Sequence, residues 1–232
     1  MARKIKVLGL TVMAIFALGA ISAQAALAAP EFTGFNTNTK LDEASTVTGT
    51  QVGEQEYLFS AGGTPVKCTT AGLTGSAAAK STTLTVTPSW AGCTSNNGNN
   101  PVDIRVNGCE YKFALAVKVV EDLYEGTFSV VCPAGKKIEF EVTTEMGAMR
   151  KCLDTIEPQM GISRVDFRDE TKAAPTDLKI EMLTTNLVNT TDDEKAKCGV
   201  NQELHKDGSL LGTTTVTAKN GKGEGIDFSV VG

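Results

Sequence analysis

Apolar residues recur at every second position, in one short stretch after another, along this 232-residue chain. That period of two constrains the fold more than any other feature, because side chains alternate between faces only in extended strands. Ile138, Phe140 and Val142 alternate with Lys137, Glu139 and Glu141, and Leu178, Ile180 and Met182 with Lys179 and Glu181. Phe128, Val130 and Cys132 share one face, and Ile226, Phe228 and Val230 repeat the rhythm near the end. Shorter strands are expected at Tyr57–Ser60, Val66–Thr69, Leu84–Thr87 and Val165–Phe167, and the Val-rich stretch Ala114–Asp122 also reads as strand. Thirty threonines support the same reading, since β-branched residues fit a pleated surface. One face of each strand is polar, which predicts an all-β fold: an antiparallel β-sandwich or barrel-like double sheet.

The sharpest local signal is Asn107-Gly108, set between Val102–Val106 and Cys109–Phe113. A type I′ turn needs positive φ at both central residues, and Asn-Gly supplies it. A two-residue hairpin there would put Arg105 opposite Glu110, Ile104 opposite Tyr111 and Asp103 opposite Lys112. Both charged pairs match, each worth about 0.2–1 kcal/mol, and Cys109 would point inward beside Val106 and Tyr111.

The first residues read as an export segment. Arg3, Lys4 and Lys6 precede the apolar run Val7–Ile21, and Ala23-Gln24-Ala25 fits a small-x-small cleavage site, with Ala26-Leu27-Ala28 as the alternative. The expected organisation is a signal peptide over 1–25, a polar lead-in over 26–50 and a single β-rich domain over 51–232. A division near Pro158–Gly161 is the second choice. Removing three basic residues changes the formal charge from −5 to 19 − 27 = −8. So acidic a chain is poorly suited to nucleic acid, which needs Lys and Arg against phosphates. No further apolar span follows, so no membrane contact is expected after cleavage.

Six cysteines in an exported chain imply disulfides. No two stand closer than 15 intervening residues, so the C-x-x-C spacing of zinc sites is missing. Six cysteines allow 15 pairings. The expected set is Cys93 with Cys109, Cys132 with Cys152, and Cys68 with Cys198.

The chemistry-bearing residues are few. No G-x-S-x-G, H-E-x-x-H, P-loop or dinucleotide fingerprint occurs. The single histidine, His205, lies in a polar stretch with no nucleophile or co-ligand adjacent in sequence. Asp103, Glu139, Glu141 and Glu181 alternate with apolar neighbours and belong on a solvated face. Asp154, two residues beyond Cys152, is the acid expected to be buried. A hydrolase built on paired carboxylates is the least favoured reading. Asp192-Asp193-Glu194 lacks the spacing of a calcium loop. No metal or cofactor is expected. Trp90 reads as a loop residue packed on a neighbouring disulfide. With Asn96, Asn97, Asn99 and Asn100 it is also the candidate site for a small molecule or glycan.

The cysteine neighbourhoods carry a resemblance. Val66-x-Cys68, Leu84-Thr85-Val86-Thr87-Pro88 before Cys93, Val106-Asn107-Gly108-Cys109-x-Tyr111-x-Phe113, Cys132-Pro133-Ala134-Gly135 and Cys152-x-x-x-Ile156-x-Pro158-Gln159 follow in that order. In this the chain resembles uncharacterised secreted six-cysteine β-rich proteins of high-GC Gram-positive bacteria. The resemblance implies export and a β-fold, and no reaction. The sequence thus points to an exported, non-catalytic module with a structural or surface-interaction role and an unidentified surface or envelope partner.

Overall fold

Every regular element among the described residues of the computed structural model is a strand, as the period of two requires, and all their pairings are antiparallel. The structure describes residues 29–58, 64–95, 99–144, 150–170, 176–192 and 203–232. The expected signal peptide, and the cysteine at 198, lie outside them. Among the described residues no helix is long and apolar enough to cross a membrane.

Five long strands form a shared wall: β3 (Ser45–Leu58), β4 (Val66–Ala77), β6 (Thr83–Ser95), β13 (Asp177–Asp192) and β14 (Glu203–Asn220). Their order across the wall is β13-β14-β3-β4-β6. Two three-stranded arcs close it. The first arc is β8 (Glu110–Val120), β9 (Leu123–Val131) and β12 (Gln159–Glu170), joined to β6 through Thr83–Val86 and to β13 through Asp177–Met182. The second is β7 (Asn100–Arg105), β10 (Ile138–Thr144) and β11 (Arg150–Ile156), joined to β6 through Cys93–Ser95 and to β13 through Asn189–Asp192. Each hydrogen-bond path returns to its start, so the wall belongs to two closed rings, one at each end of its strands. Closure removes the free edges that an open sheet would expose. Four peripheral strands, β1 (Glu31–Asn36), β2 (Leu41–Asp42), β5 (Lys80–Ser81) and β15 (Gly225–Val231), cover the first ring, with β15 paired to the end of β14.

The five strands change character at mid-length. Inward positions switch parity from Cys68 to Ala71 in β4, from Trp90 to Cys93 in β6 and from Thr184 to Leu187 in β13. Register shifts fall at Thr50/Gln55 between β3 and β4 and at Thr185/Leu187 between β13 and β14. Gly53, Gly92 and Asn186, all with positive φ, sit in this belt. Such irregularities bend and coil a strand, and here they let one wall serve two rings.

The chain crosses between rings repeatedly: β7 lies in the second, β8 and β9 in the first, β10 and β11 in the second, β12 in the first. This weaving overturns the hairpin expected at Asn107-Gly108. The turn itself forms as anticipated, with φ of 54° and 80° and the Cys109 N–H donating to the Val106 carbonyl at 2.9 Å. Its arms then part. Arg105 lies opposite Glu139 and Asp103 opposite Glu141, while Glu110 lies opposite Val131 and Lys112 opposite Ser129. The turn is a corner between rings. It rests on the next corner, Pro133–Lys137: Asn107 Nδ2 donates to the Lys137 carbonyl at 3.0 Å.

Disulfide pairing is corrected too. Cys68 bonds Cys93, its direct partner across β4 and β6, and Cys109 bonds Cys132, which flank the start of β8 and the end of β9. The expected pairs Cys93–Cys109, Cys132–Cys152 and Cys68–Cys198 are therefore replaced. Antiparallel neighbours brought together by their ladders decide the pairing. Cys152 is itself disulfide-bonded. The bond between Cys109 and Cys132 ties two corners where the chain changes rings.

Residues expected to lead into the fold belong to it. Phe32 is wholly buried, and Ser45 and Val47 face inward from β3. One aromatic chain runs through both rings. Phe32 meets Phe228 and Phe167 at centroid distances of 6.3 and 5.3 Å, and Phe167 meets Phe113 at 5.9 Å. Phe113 leads through Phe128 to Tyr111, and Tyr57 carries on to Phe140 at 5.1 Å.

One carboxylate lies awkwardly in this packing. Asp169 of β12 accepts the Val230 N–H at 3.0 Å, tying β15 to the first arc. Burial pushes its carboxyl up to about 6, against the pull of that N–H. A folded pKa raised above the unfolded value stabilises the fold at low pH, and the contribution is lost as pH rises through about 6. Asp169→Asn keeps the acceptor and removes the charge. It is expected to stabilise the protein by about 1 kcal/mol at pH 7.5, allowing for solvent screening, with the gain vanishing near pH 4. Urea titrations at the two pH values check this.

Candidate functional site

The belt where the wall bends gathers the largest polar and aromatic side chains. Trp90 stands on β6 and not in a loop. Its ring faces inward and is half-buried, edge-on to Tyr57 at 5.6 Å and to Tyr111 at 6.0 Å. Its Nε1–H donates to Gln55 Oε1 at 3.4 Å, and Gln55 Nε2 donates to Thr214 Oγ1 at 3.2 Å. Tyr57 and Tyr111 share a hydrogen bond at 3.1 Å, and burial raises both phenols well above their ordinary range. Rings, amide and hydroxyls satisfy one another inside the bend. Trp90 thus packs on aromatic rings.

Outside the belt, a depression of about 360 Å³ opens between β3, β4 and β6, lined by Thr50, Thr70, Gly72, Ser89, Trp90 and neighbouring small residues. Its depth comes from the glycine: a Cβ on Gly72 would stand 3.1 Å from Ser89 Oγ. Gly92 shapes the same bend. It holds φ +61°, and an added Cβ would lie 2.2 Å from Thr69 Oγ1. Gly92→Ala is therefore expected to destabilise the protein by about 1–3 kcal/mol, measured by urea unfolding.

Asn99 and Asn100 of the expected binding site do not join Trp90. Asn99 is exposed and Asn100 begins β7 opposite Ser95, five residues along β6 from Trp90, a separation of about 16 Å. Asn96 and Asn97 lie outside the described residues. Sequence proximity failed here because a strand carries successive residues away from each other.

A second polar group forms where the sequence showed no link. Asp154 of β11 and Thr191 of β13 pair in the second ring, with His205 of β14 near enough to act on Asp154 through its charge. Thr191 Oγ1 donates to Asp154 Oδ1 at 2.5 Å. Burial raises the Asp154 carboxyl, offset by the Thr191 hydroxyl and by His205 nearby. Asp154, the acid expected to be buried, is half-buried. The company of His205 was not readable, because it depends on the β13–β14 register that sets Asn189 opposite His205.

Most of the remaining acids expected on solvated faces are engaged by cations. Arg105 holds Asp103 at 3.2 Å, Glu139 at 3.6 Å and Glu141 at 2.5 Å. Lys179 pairs with Glu181 at 2.6 Å, and Lys67 with Glu54 at 2.8 Å. Asp193 and Glu194, of the stretch considered for calcium, lie outside the described residues. Comparison with family models, with curated proteins and with solved structures finds no match, so function rests on the molecule's own geometry.

Proposed function

We propose that this chain is an exported, non-catalytic β-module that acts through its surface outside the cell. The observation that carries the reading is the woven double ring, with two disulfides at or near its bends. Each bridge closes a loop of 25 or 23 residues, and such bonds persist in oxidising compartments. The interior is filled by aromatic packing that continues across the bend, which leaves the outer faces to meet a partner. Weaving and closure both favour resistance to proteolysis, because they leave few free strand edges and tie distant segments together.

The test is expression of the full chain with a C-terminal tag in a secreting bacterial host. The expected product is in the medium, begins at Ala26 or Ala29, and shows no reactive thiol before reduction. Retention inside the cell with free thiols would contradict the proposal.

A further inference from the structure

The solvated face of the wall over the first ring is built from rows of hydroxyl side chains. Thr217, Thr48, Thr74 and Thr87 lie in one straight row across β14, β3, β4 and β6. The next row holds Thr46, Ser76 and Thr85 beside Lys219, and the row on the other side holds Thr215, Thr50 and Ser89 around Gly72. Rows of this kind repeat at about 4.8 Å between strands and about 6.7 Å along them. No register shift interrupts the rows, because those between β14 and β3 and between β3 and β4 fall in the belt. All but Lys219 are uncharged.

High strand propensity alone would place some threonines here, but it does not explain where the charges go. The same strands carry Glu54, Glu56 and Lys67 as soon as they pass the belt, and Lys179 with Glu181 begins on the adjoining β13. Charge frames the face and is kept off its middle. Several hydroxyls are already oriented: Thr217 donates to the Thr48 carbonyl at 3.3 Å, Thr46 to the Lys219 carbonyl at 3.4 Å and Ser89 to the Gly72 carbonyl at 3.4 Å. Their lone pairs are left facing solvent, and threonine's branched Cβ stiffens the array.

We propose that this hydroxyl face is a docking surface for a neutral polysaccharide. An uncharged face costs less to desolvate than a charged one, provided its hydroxyls find hydrogen-bond partners, and offers nothing to an ionic partner. Hydroxyls that accept and donate suit a polyhydroxylated chain of regular pitch, and the threonine methyls supply contact for the apolar faces of sugar rings. The depression at Gly72, at the margin of the array, gives room for one protruding substituent beside Thr50 and Ser89. This deepens the reading of an extracellular surface module by naming the surface and its partner class.

The purified, oxidised protein is sedimented with microcrystalline cellulose, chitin, mannan and insoluble starch at low and high salt. The expected result is co-sedimentation with at least one of them, unchanged by salt. Thr48→Lys with Thr74→Lys, both exposed positions, is expected to weaken binding by about tenfold or more, while Thr48→Ser with Thr74→Ser retains it. Circular dichroism confirms that both variants are folded. No binding to any of the four polymers, wild-type binding by the lysine variant, or shaping of ice crystals in place of polymer binding would overturn the proposal. Failure of export is read separately, from the N-terminal sequence of the expressed chain, and leaves this result standing.

Discussion

Replacing Phe113 with alanine is expected to destabilise the protein by about 3–5 kcal/mol, the largest loss from any single side chain considered. Phe113 is wholly buried on β8, between Phe128 at 6.3 Å, Phe167 at 5.9 Å and Tyr111 at 6.5 Å. Removing its ring opens a cavity at the centre of the aromatic chain, and walls already closed by hydrogen bonds collapse poorly. Native stabilities are about 5–15 kcal/mol, so the loss is a large share of the whole. The manner of unfolding is also informative. Because the chain passes from ring to ring, urea unfolding of Phe113→Ala is expected to stay a single transition, detected alike by far-ultraviolet circular dichroism and by Trp90 fluorescence. Two separated transitions would show rings that fold independently.

Loss of the bridge in the wall has the second large effect. Cys68→Ala with Cys93→Ala frees a loop of 25 residues in the unfolded chain, and loop-closure entropy puts the cost at about 3 kcal/mol. For a domain of this size that lowers the melting temperature by about 6–12 °C. Both sulfurs are buried against the core, so the alanine pair also loses contact, which acts in the same direction. Calorimetry on the oxidised wild type and the double variant measures the difference.

The sequence made some of this fold legible, for reasons that the strands themselves show. Ile138, Phe140, Val142, Leu178, Ile180, Met182, Ile226, Phe228 and Val230 all point inward as their alternation requires. Cys109 is buried, as inferred. What failed was pairing at a distance. Arg105 and Asp103 matched Glu110 and Lys112 in charge, yet Glu139 and Glu141 on β10 match Arg105 as well, and they are the ones it meets. Where solvated faces alternate Lys, Arg and Glu, charge matching fits too many partners to select one. The turn chemistry of Asn107-Gly108 was correct because a turn is local. Its meaning as a corner was not visible, because that depends on where β10 and β9 lie.

Small inward residues hid other features. Ser45, Val47 and Gly49 face the core from β3, but two of them are too small to mark a strand by hydrophobicity, so the stretch read as a lead-in. The threonines opposite them were counted as propensity, and only the register revealed straight rows. The pairing of Asp154 with Thr191 near His205 likewise needed three strands in register.

Peptide mapping of the unreduced protein reports whether the strands pair around Asn107-Gly108 as two rings, with the turn as a corner between them. The expected map has one linked pair of peptides containing Cys68 and Cys93, and another containing Cys109 and Cys132. A link between Cys93 and Cys109 would contradict it.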